Sequence, residues 1–471
     1  MLVVPMATTS SLQLFRIEYS WSKSTFRLTQ LEYSQPMTQA TLSRTINLPA
    51  AVFLIIGYVI GATIFILPGN LAVEAGPAVY IAYLMAAVPA VLACFVMALI
   101  GSAIPASGSL YVIIRDVLSP MLGFLYLWLM VSMAALVTPL VAFGFADYFS
   151  HFYSGLDSGI VAMTVIALII LINYLGMEVA SGFQNLMVIA FILALLIFGI
   201  GGLTHADPAL MKPLIPRGWS PIVVAAMTAY FSYAGVFIIA EVAGEIKNPG
   251  RTIPLAIFLS FTVIILLYTL VPLALTSILH WETIESNKMA VVTASQNFMP
   301  GWLVTFIAVG ALFAAATSVN GIVMGLSRDF YKGAKSGLFP SYFAAIHPKF
   351  KSPGRAVLVV GALSLAGTLA GGGIVQYAQI AVLALMVMQI MTGFALLKLP
   401  GKMPEVYAAS PFKLGMFALR FICICYIAFS AIFIVVLGME QPDAVVFGLI
   451  FIAIGCTWYV LMVRKSDAQD A

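Results

Sequence analysis

Two uncharged, glycine-containing stretches carry the main-chain groups of this sequence that are best suited to bind a small molecule. The stretch 45–73 contains Gly57, Gly61 and the pair Pro68-Gly69. It is long enough to cross a bilayer, which takes about 20 residues, yet glycine and proline weaken a helix. We therefore expect a membrane helix that unwinds in its middle and leaves backbone N–H and C=O groups free to bind a ligand.

A second stretch of the same kind supports this interpretation. Residues 218–240 are uncharged, and their middle reads Phe231-Ser232-Tyr233-Ala234-Gly235-Val236-Phe237. Small residues four apart also occur where two membrane helices pack closely, so the first stretch alone has an ordinary structural explanation. Two interrupted spans in corresponding positions of two halves of a chain predict the substrate site of a secondary transporter.

The composition excludes a soluble globular protein. Of 471 residues, 62% are hydrophobic and 8% are charged, whereas soluble domains have about 25% charged residues. We expect an integral membrane protein. The four histidines fall in loops or at the ends of apolar runs, without metal-ligand spacing, which argues against a membrane enzyme. No candidate filter or ring of charge favours an ion channel.

Apolar runs predict twelve transmembrane helices. After the opening span they lie near 77–101, 121–150, 158–176, 183–203, 219–246, 252–280, 301–331, 355–372, 374–397, 413–438 and 442–463. All Lys and Arg residues except Lys212, Arg217 and Lys288 fall on one side of this arrangement. The positive-inside rule then places both termini in the cytoplasm of a multi-pass cell-membrane protein. The basic loop 332–355 is interpreted as a contact with lipid headgroups and not with nucleic acid.

Three segments are expected on this basis. Residues 1–44 are predicted to form a cytoplasmic, largely disordered tail, residues 45–465 the transporter domain, and residues 466–471 a cytoplasmic C-terminal tail. Met37 as well as Met1 could start translation. The sequence indicates no oligomeric state.

Three motifs, in order, resemble those of the amino acid-polyamine-organocation (APC) transporters. They lie at 57–69 with 76–78, at 231–235 with 240–254, and at 327–328 with 337–340 and 347–350. The resemblance covers roughly residues 45–465. It implies an all-α membrane fold with two inverted repeats, helices 1–5 and 6–10, and two peripheral helices. It also implies that helices 1 and 6 are broken at the midplane and that transport proceeds by alternating access.

The resemblance further implies which residues bind an amino acid. The substrate carboxylate would contact the N–H groups of Gly61, Ala62 and Thr63, and the α-amino group would contact the carbonyls of Val59, Phe231 and Ala234. The Phe231 ring would close over the ligand. Thr63 stands where the family usually has Gly, and Phe237 stands where many members have Glu. Because no charged residue lies in the central third of any span, a neutral amino acid is favoured over arginine or polyamines.

A sodium ion is the coupling ion that the resemblance suggests, and no other cofactor is expected. The pattern Ala-x-x-Thr-Ser at 314–318 is similar to the sodium site of sodium-coupled relatives with the same fold. The five oxygen ligands would come from Gly57, Ile60, Ala314, Thr317 and Ser318. Phe191 replaces a lysine that fills this place in some sodium-independent members. The same hydroxyls could instead simply bond to carbonyls one turn earlier.

Glu241 and Glu245, one turn apart near the predicted cytoplasmic end of helix 6, allow two interpretations. They form either an ordinary solvated helix end, offset by Lys247, Arg251 or Arg115, or an inside gate whose ion pairs break on opening. A proton-coupled symporter, an amino acid exchanger and a non-transporting amino acid sensor are the alternatives to a sodium-coupled symporter.

Overall fold

The computed structural model describes residues 42–284, 289–370 and 374–463. Their α-helices are α1 (Leu48–Ile60), α2 (Thr63–Ala75), α3 (Val79–Ala103), α4 (Ser109–Val117), α5 (Pro120–Phe149), α6 (Ser158–Tyr174), α7 (Met177–Thr204), α8 (Trp219–Tyr230), α9 (Ile238–Glu241), α10 (Pro249–Ile278), α11 (Ala290–Ser295), α12 (Gly301–Lys335), α13 (Gly354–Leu369), α14 (Ile374–Lys402), α15 (Pro404–Ala409), α16 (Met416–Glu440) and α17 (Pro442–Trp458). Within these ranges no β-strand is formed, so the fold is all-helical.

The helices have the lengths and composition of membrane spans. Eight stretches of the described residues are long and apolar enough to cross a bilayer, and the first of them, Leu48–Ala103, has 56 residues and joins α1 to α3. Three shorter apolar helices lie at Ser158–Tyr174, Gly354–Leu369 and Val445–Leu461. The chain is therefore a multi-pass membrane protein. The number of twelve crossings and the inverted repeats stay predictions.

Helix α1 lies at the centre of the bundle, in contact with α7, α10 and α12. Glycines allow this close approach. A Cβ on Gly57 would clash with the amide nitrogen of Gln184 and lie 3.1 Å from Thr317 Cβ, and a Cβ on Gly321 of α12 would clash with the Tyr58 ring. Small residues serve this purpose in membrane proteins, where close backbone packing replaces the hydrophobic effect between helices.

The segment before α1 is hydrogen-bonded to residues 245–247, which follow α9. The N–H of Ile46 donates to the carbonyl of Glu245 over 3.0 Å, and the N–H of Lys247 donates to the carbonyl of Ile46 over 2.8 Å. The predicted tails, 1–44 except for its last three residues and 466–471, lie outside the described residues.

Candidate binding site at two interrupted helices

The first predicted interruption is present between α1 and α2. Helix α1 ends at Ile60, and Gly61 has φ of 44° and ψ of −152°, a conformation that residues with a Cβ adopt only with strain. Helix α2 begins at Thr63. In the described part of the chain, the N–H groups of Gly61, Ala62 and Thr63 donate to no backbone carbonyl. They are thus the free donors at a helix N-terminus that suit an anionic group.

Two hydroxyl groups of α12 contact backbone carbonyls near the end of α1. Thr317 Oγ1 lies 3.0 Å from the Gly57 carbonyl oxygen and 2.7 Å from that of Ala314, and Ser318 Oγ lies 3.4 Å from the Gly57 carbonyl and 3.3 Å from that of Tyr58. Four of the five predicted sodium ligands therefore come together at one place. They are uncharged oxygens, the type of ligand that a hard cation prefers.

The fifth predicted ligand has a different partner. The carbonyl of Ile60 accepts the hydroxyl of Thr63 over 2.8 Å. Thr63 thus bonds back across the interruption, as side-chain hydroxyls often do near helix ends. Oγ1 of Thr63 also lies 3.4 Å from the hydroxyl oxygen of Tyr268, a residue of α10.

Tyr268 joins the two interrupted regions, and the motifs did not indicate it. Its hydroxyl lies 3.0 Å from the carbonyl of Val59 and 3.0 Å from the carbonyl of Ser232. It packs edge to face against Tyr233, with ring centroids 4.8 Å apart. A tyrosine in a predicted membrane span is the sequence signal for this role, because a buried phenol needs a hydrogen-bond partner.

The second predicted interruption replaces α-helix with a narrower helix. After α8 the chain forms a 3₁₀-helix over Phe231–Phe237 and returns to α-helix at Ile238. Gly235 allows this segment to touch the end of α1, since a Cβ there would lie 3.0 Å from Val59 Cα. The two interruptions are therefore in direct contact, as a shared binding site requires.

A cavity begins at the 3₁₀-helix, and we refer to it as the first cavity. Ala234 and Phe237 line it together with Met130, Tyr126 and Gln389, while the described lining does not include Phe231. The lining carries no charged side chain. Its polar groups are hydroxyls and the amide of Gln389, whose Oε1 accepts from the hydroxyls of Tyr230 at 3.1 Å and Ser430 at 2.9 Å.

Glu241 and Glu245 do not form a solvated helix end, so that interpretation is wrong. Each is 1% exposed. Tyr126 donates to Oε1 of Glu241 over 2.7 Å, and Arg328 donates to Oε1 of Glu245 over 2.8 Å. A membrane-embedded carboxylate needs such partners because an isolated buried charge is costly.

The prediction that Lys247, Arg251 or Arg115 offsets the charge of these acids is also wrong. Arg115 pairs with Asp116 at 2.6 Å, and Lys247 and Arg251 are exposed. The actual partner of Glu245 is Arg328, which lies fully buried inside α12. Helical spacing could not reveal this pair, because it joins residues 83 positions apart.

Comparison with known proteins agrees with this architecture. Residues 46–458 match the model of the family described as amino acid permease. The chain is 28% identical to the methylthioribose transporter of Bacillus subtilis over 411 residues, which cover 82% of this chain and 88% of that protein. It is 28% identical to the branched-chain amino acid permease BcaP of the same organism over 66% of this chain and 71% of the relative. Cationic amino acid transporter 5 of Arabidopsis thaliana is 29% identical over 64% of this chain and 56% of its own length.

Proposed function

Because the chain belongs to the amino acid permease family, we propose that it is a secondary transporter of amino acids with neutral side chains, working by alternating access. Members of this family are permeases and not enzymes. The two interrupted helices meet where the end of α1 touches the 3₁₀-helix at Gly235. This contact is the observation that carries the proposal, because it places free donors and acceptors of the main chain side by side.

An amino acid presents one carboxylate and one ammonium group to such a site. The free N–H groups of Gly61, Ala62 and Thr63 suit the carboxylate. The ammonium group would bind the carbonyls of Val59, Phe231 and Ala234, as the family resemblance implies. A carbonyl oxygen has two lone pairs, so the bond from Tyr268 to Val59 leaves one of them for the ligand.

The lining of the first cavity supports a neutral substrate. Ala234 and Phe237 present apolar surface, and the cavity offers no carboxylate to a cationic side chain. Burying such a charge without a partner would cost several kcal/mol. The relatives include a branched-chain amino acid permease, a cationic amino acid transporter and a methylthioribose transporter, so the proposed substrate class rests on the cavity lining of this chain.

Sodium is the proposed coupling ion. The grouping of Gly57, Ala314, Thr317 and Ser318 supports it, and Phe191 of α7 brings no competing cation to this region. These residues would bind the ion through uncharged oxygens, so we expect the site to bind sodium reversibly and with modest affinity. Orientation with both termini in the cytoplasm of a cell membrane belongs to the same proposal.

A thermal-shift screen of the purified protein tests binding. The twenty amino acids and methylthioribose are each added with sodium or with choline, because a ligand stabilises the folded state by mass action. We expect stabilisation by one or more neutral amino acids and a larger shift in sodium. Stabilisation by arginine or lysine alone, or by methylthioribose alone, would contradict the proposed substrate class.

Uptake into proteoliposomes then separates a transporter from a sensor. We expect radiolabelled substrate to accumulate when a sodium gradient is imposed without a pH gradient. Binding without flux would favour the non-transporting sensor. Uptake that is unchanged when choline replaces sodium would exclude sodium coupling.

A further inference from the structure

Two carboxyl groups lie inside the protein where α9 contacts α12. Glu241 ends α9, and its Cβ lies beside Gly325, one turn before Asp329 in α12. Gly108 touches both acids, since its N–H donates to the Glu241 carbonyl over 3.0 Å and a Cβ there would lie 3.4 Å from Oδ1 of Asp329. Glu241 is 1% exposed and Asp329 is 2% exposed. The sequence motifs include Glu241 but not Asp329, and the proposed transport site uses neither residue.

Among the described residues, one hydrogen-bond donor contacts the four carboxyl oxygens of Glu241 and Asp329. The hydroxyl of Tyr126 donates to Oε1 of Glu241 over 2.7 Å. Oε2 of Glu241 and both carboxyl oxygens of Asp329 find no hydrogen-bond donor among the described residues. Buried polar atoms are nearly always satisfied, so three such atoms at one place indicate that a hydrogen is shared between the two carboxyl groups.

No neighbouring cation in the described part of the chain neutralises the pair. Arg328, next to Asp329 in sequence, is directed to Glu245. The aliphatic part of Lys332 and the carboxyl group of Asp329 both lie next to Gly108. No ion pair joins Lys332 to Glu241 or to Asp329.

Three elements around the pair carry other ionisable groups. Tyr58 of α1 packs against Gly321 of α12, about two turns before Asp329. Tyr126 is the facing group of α5. Arg115 and Asp116, which are the charged residues of α4, pair with each other. Helix α3, which also contacts α9, contains no Asp, Glu, Lys, Arg or His.

Two carboxylates in contact cannot both remain ionised in a buried site, because their repulsion adds to the cost of burial. One proton shared between them removes the repulsion and provides the missing hydrogen bond. Paired carboxyl groups elsewhere in proteins hold a proton in this way. A pair of this kind is therefore a binding site for a proton as long as the two helices stay together.

Cavities adjoin the pair on two sides. Tyr126 lines the first cavity, which begins at Ala234 and Phe237. Asp329 lines a second cavity, together with Leu127, Met130, Phe330 and Phe339. The hydroxyl of Tyr126 can give its proton to Glu241 and take another from water in the first cavity. Tyr126, Glu241 and Asp329 thus connect the lining of the first cavity to that of the second.

We propose that Glu241 and Asp329 bind one transported proton while α9 and α12 are in contact, and release it when these helices separate. The inference rests on the alternating-access function proposed above, since only a conformational change separates the pair. In the closed state one carboxyl group is protonated and donates to the other, which is ionised. On opening, water hydrates both groups, the O–H bond breaks, and the proton passes to water and leaves two carboxylates.

The pair is distinct from the proposed sodium site. The sodium ligands Thr317 and Ser318 contact the end of α1, whereas Asp329 lies three turns further along α12. A proton and a sodium ion could therefore be bound at the same time.

Infrared spectroscopy of the full-length protein in lipid tests the bound proton without any substrate. A protonated carboxyl group has a C=O stretching band that carboxylates and amides lack. We expect such a band at neutral pH, with the shift on transfer to D₂O that an exchangeable proton causes. Glu241→Gln and Asp329→Asn should each remove it, because a side-chain amide can keep the hydrogen bond to the remaining carboxylate.

Asp116→Asn is the matched control, since Asp116 is a partly exposed carboxylate at the same end of the bundle. It should leave the band unchanged. A wild-type spectrum without the band would overturn the proposal, and so would a band that persists in both Glu241→Gln and Asp329→Asn.

A transport experiment tests the release step. Proteoliposomes receive a mixture of the twenty radiolabelled amino acids, with equal sodium concentrations on both sides and with an imposed gradient of one pH unit. Such a gradient supports about tenfold accumulation when one proton accompanies each substrate molecule. We expect the wild type and Asp116→Asn to show pH-driven accumulation and Glu241→Gln and Asp329→Asn to lose it.

The two proposals fail in different ways. If the wild type neither exchanges nor accumulates any amino acid, the transport function is wrong, while the infrared band still reports on the proton site. If exchange proceeds but a pH gradient drives no accumulation, proton coupling at this pair is wrong and the transport function stands.

Discussion

The Nε atom of Arg328 lies 2.8 Å from Oε1 of Glu245, and both side chains are 1% exposed. This ion pair fastens α12 to the segment that follows α9. The same segment is bonded to Ile46 ahead of α1. The ion pair and these backbone bonds together connect three parts of the chain that alternating access would have to move relative to one another.

Removing one partner of this ion pair is expected to destabilise the protein strongly. Glu245→Gln or Arg328→Met leaves the other charge without a counterion in a buried site, at a cost of about 3–5 kcal/mol. Thermal denaturation in detergent should show a large drop in Tm for each single variant and a smaller drop for the double variant. A loss in the double variant equal to the sum of the two single losses would show that the pair does not interact.

Gly61→Ala is expected to abolish substrate binding. The substitution forces a Cβ into a backbone conformation with φ of 44° and against the hydroxyl of Ser318, and the strain alone costs on the order of 1–3 kcal/mol. Ligand-induced thermal stabilisation measures the effect. Gly182→Ala is the control, because nothing lies within 4 Å of its new Cβ. Gly61→Ala with normal affinity would contradict the assigned carboxylate site.

Tyr268→Phe is expected to weaken both stability and substrate affinity. It leaves the carbonyls of Val59 and Ser232 without their shared donor, which costs about 1–3 kcal/mol. Tyr148→Phe is a matched control, because its buried hydroxyl donates only to the carbonyl of Phe65 at 3.0 Å. Both variants should lose stability by denaturation, but titration should show a loss of affinity for Tyr268→Phe alone.

Thr317→Val and Ser318→Ala are expected to remove the effect of sodium on binding. Each replaces an oxygen ligand of the proposed ion by a methyl group or a hydrogen while keeping most of the packing. Substrate titrations in sodium and in choline measure the effect. Ser327→Ala removes a buried hydroxyl of the same helix that bonds to Met324, and it should keep the sodium effect. If sodium strengthens binding equally in Thr317→Val and in the wild type, the ion binds elsewhere.

Phe237→Glu is expected to change the substrate class. It places a carboxylate in the first cavity, next to Ala234, where it can pair with an ammonium or guanidinium group of a ligand. Lysine or arginine should then stabilise the protein in the thermal-shift assay, and neutral amino acids should do so less. Phe237→Leu keeps the cavity apolar and should retain the original preference. Unchanged ligand selectivity in Phe237→Glu would place the substrate side chain in another part of the protein.

The sequence by itself determined the class of protein and the places where its central helices are interrupted. Membrane insertion follows from the length of apolar runs, and interruptions follow from residues such as Gly61 whose conformational freedom is local. The motif at 314–318 also located the hydroxyls that contact α1. These features depend on neighbouring residues, so a sequence displays them directly.

The tertiary structure decided which groups meet across helices. Tyr126 and Glu241, which are hydrogen-bonded, are 115 positions apart in the sequence. The contacts of Arg328 with Glu245 and of Tyr268 with the interrupted helices also join residues that are distant in sequence. In a membrane chain a charge near a helix end is equally consistent with a solvated loop and with a buried partner. Only the packing of α9 against α12 shows that Glu241 and Asp329 are buried together, because burial depends on the helices that cover a residue and not on its neighbours in sequence.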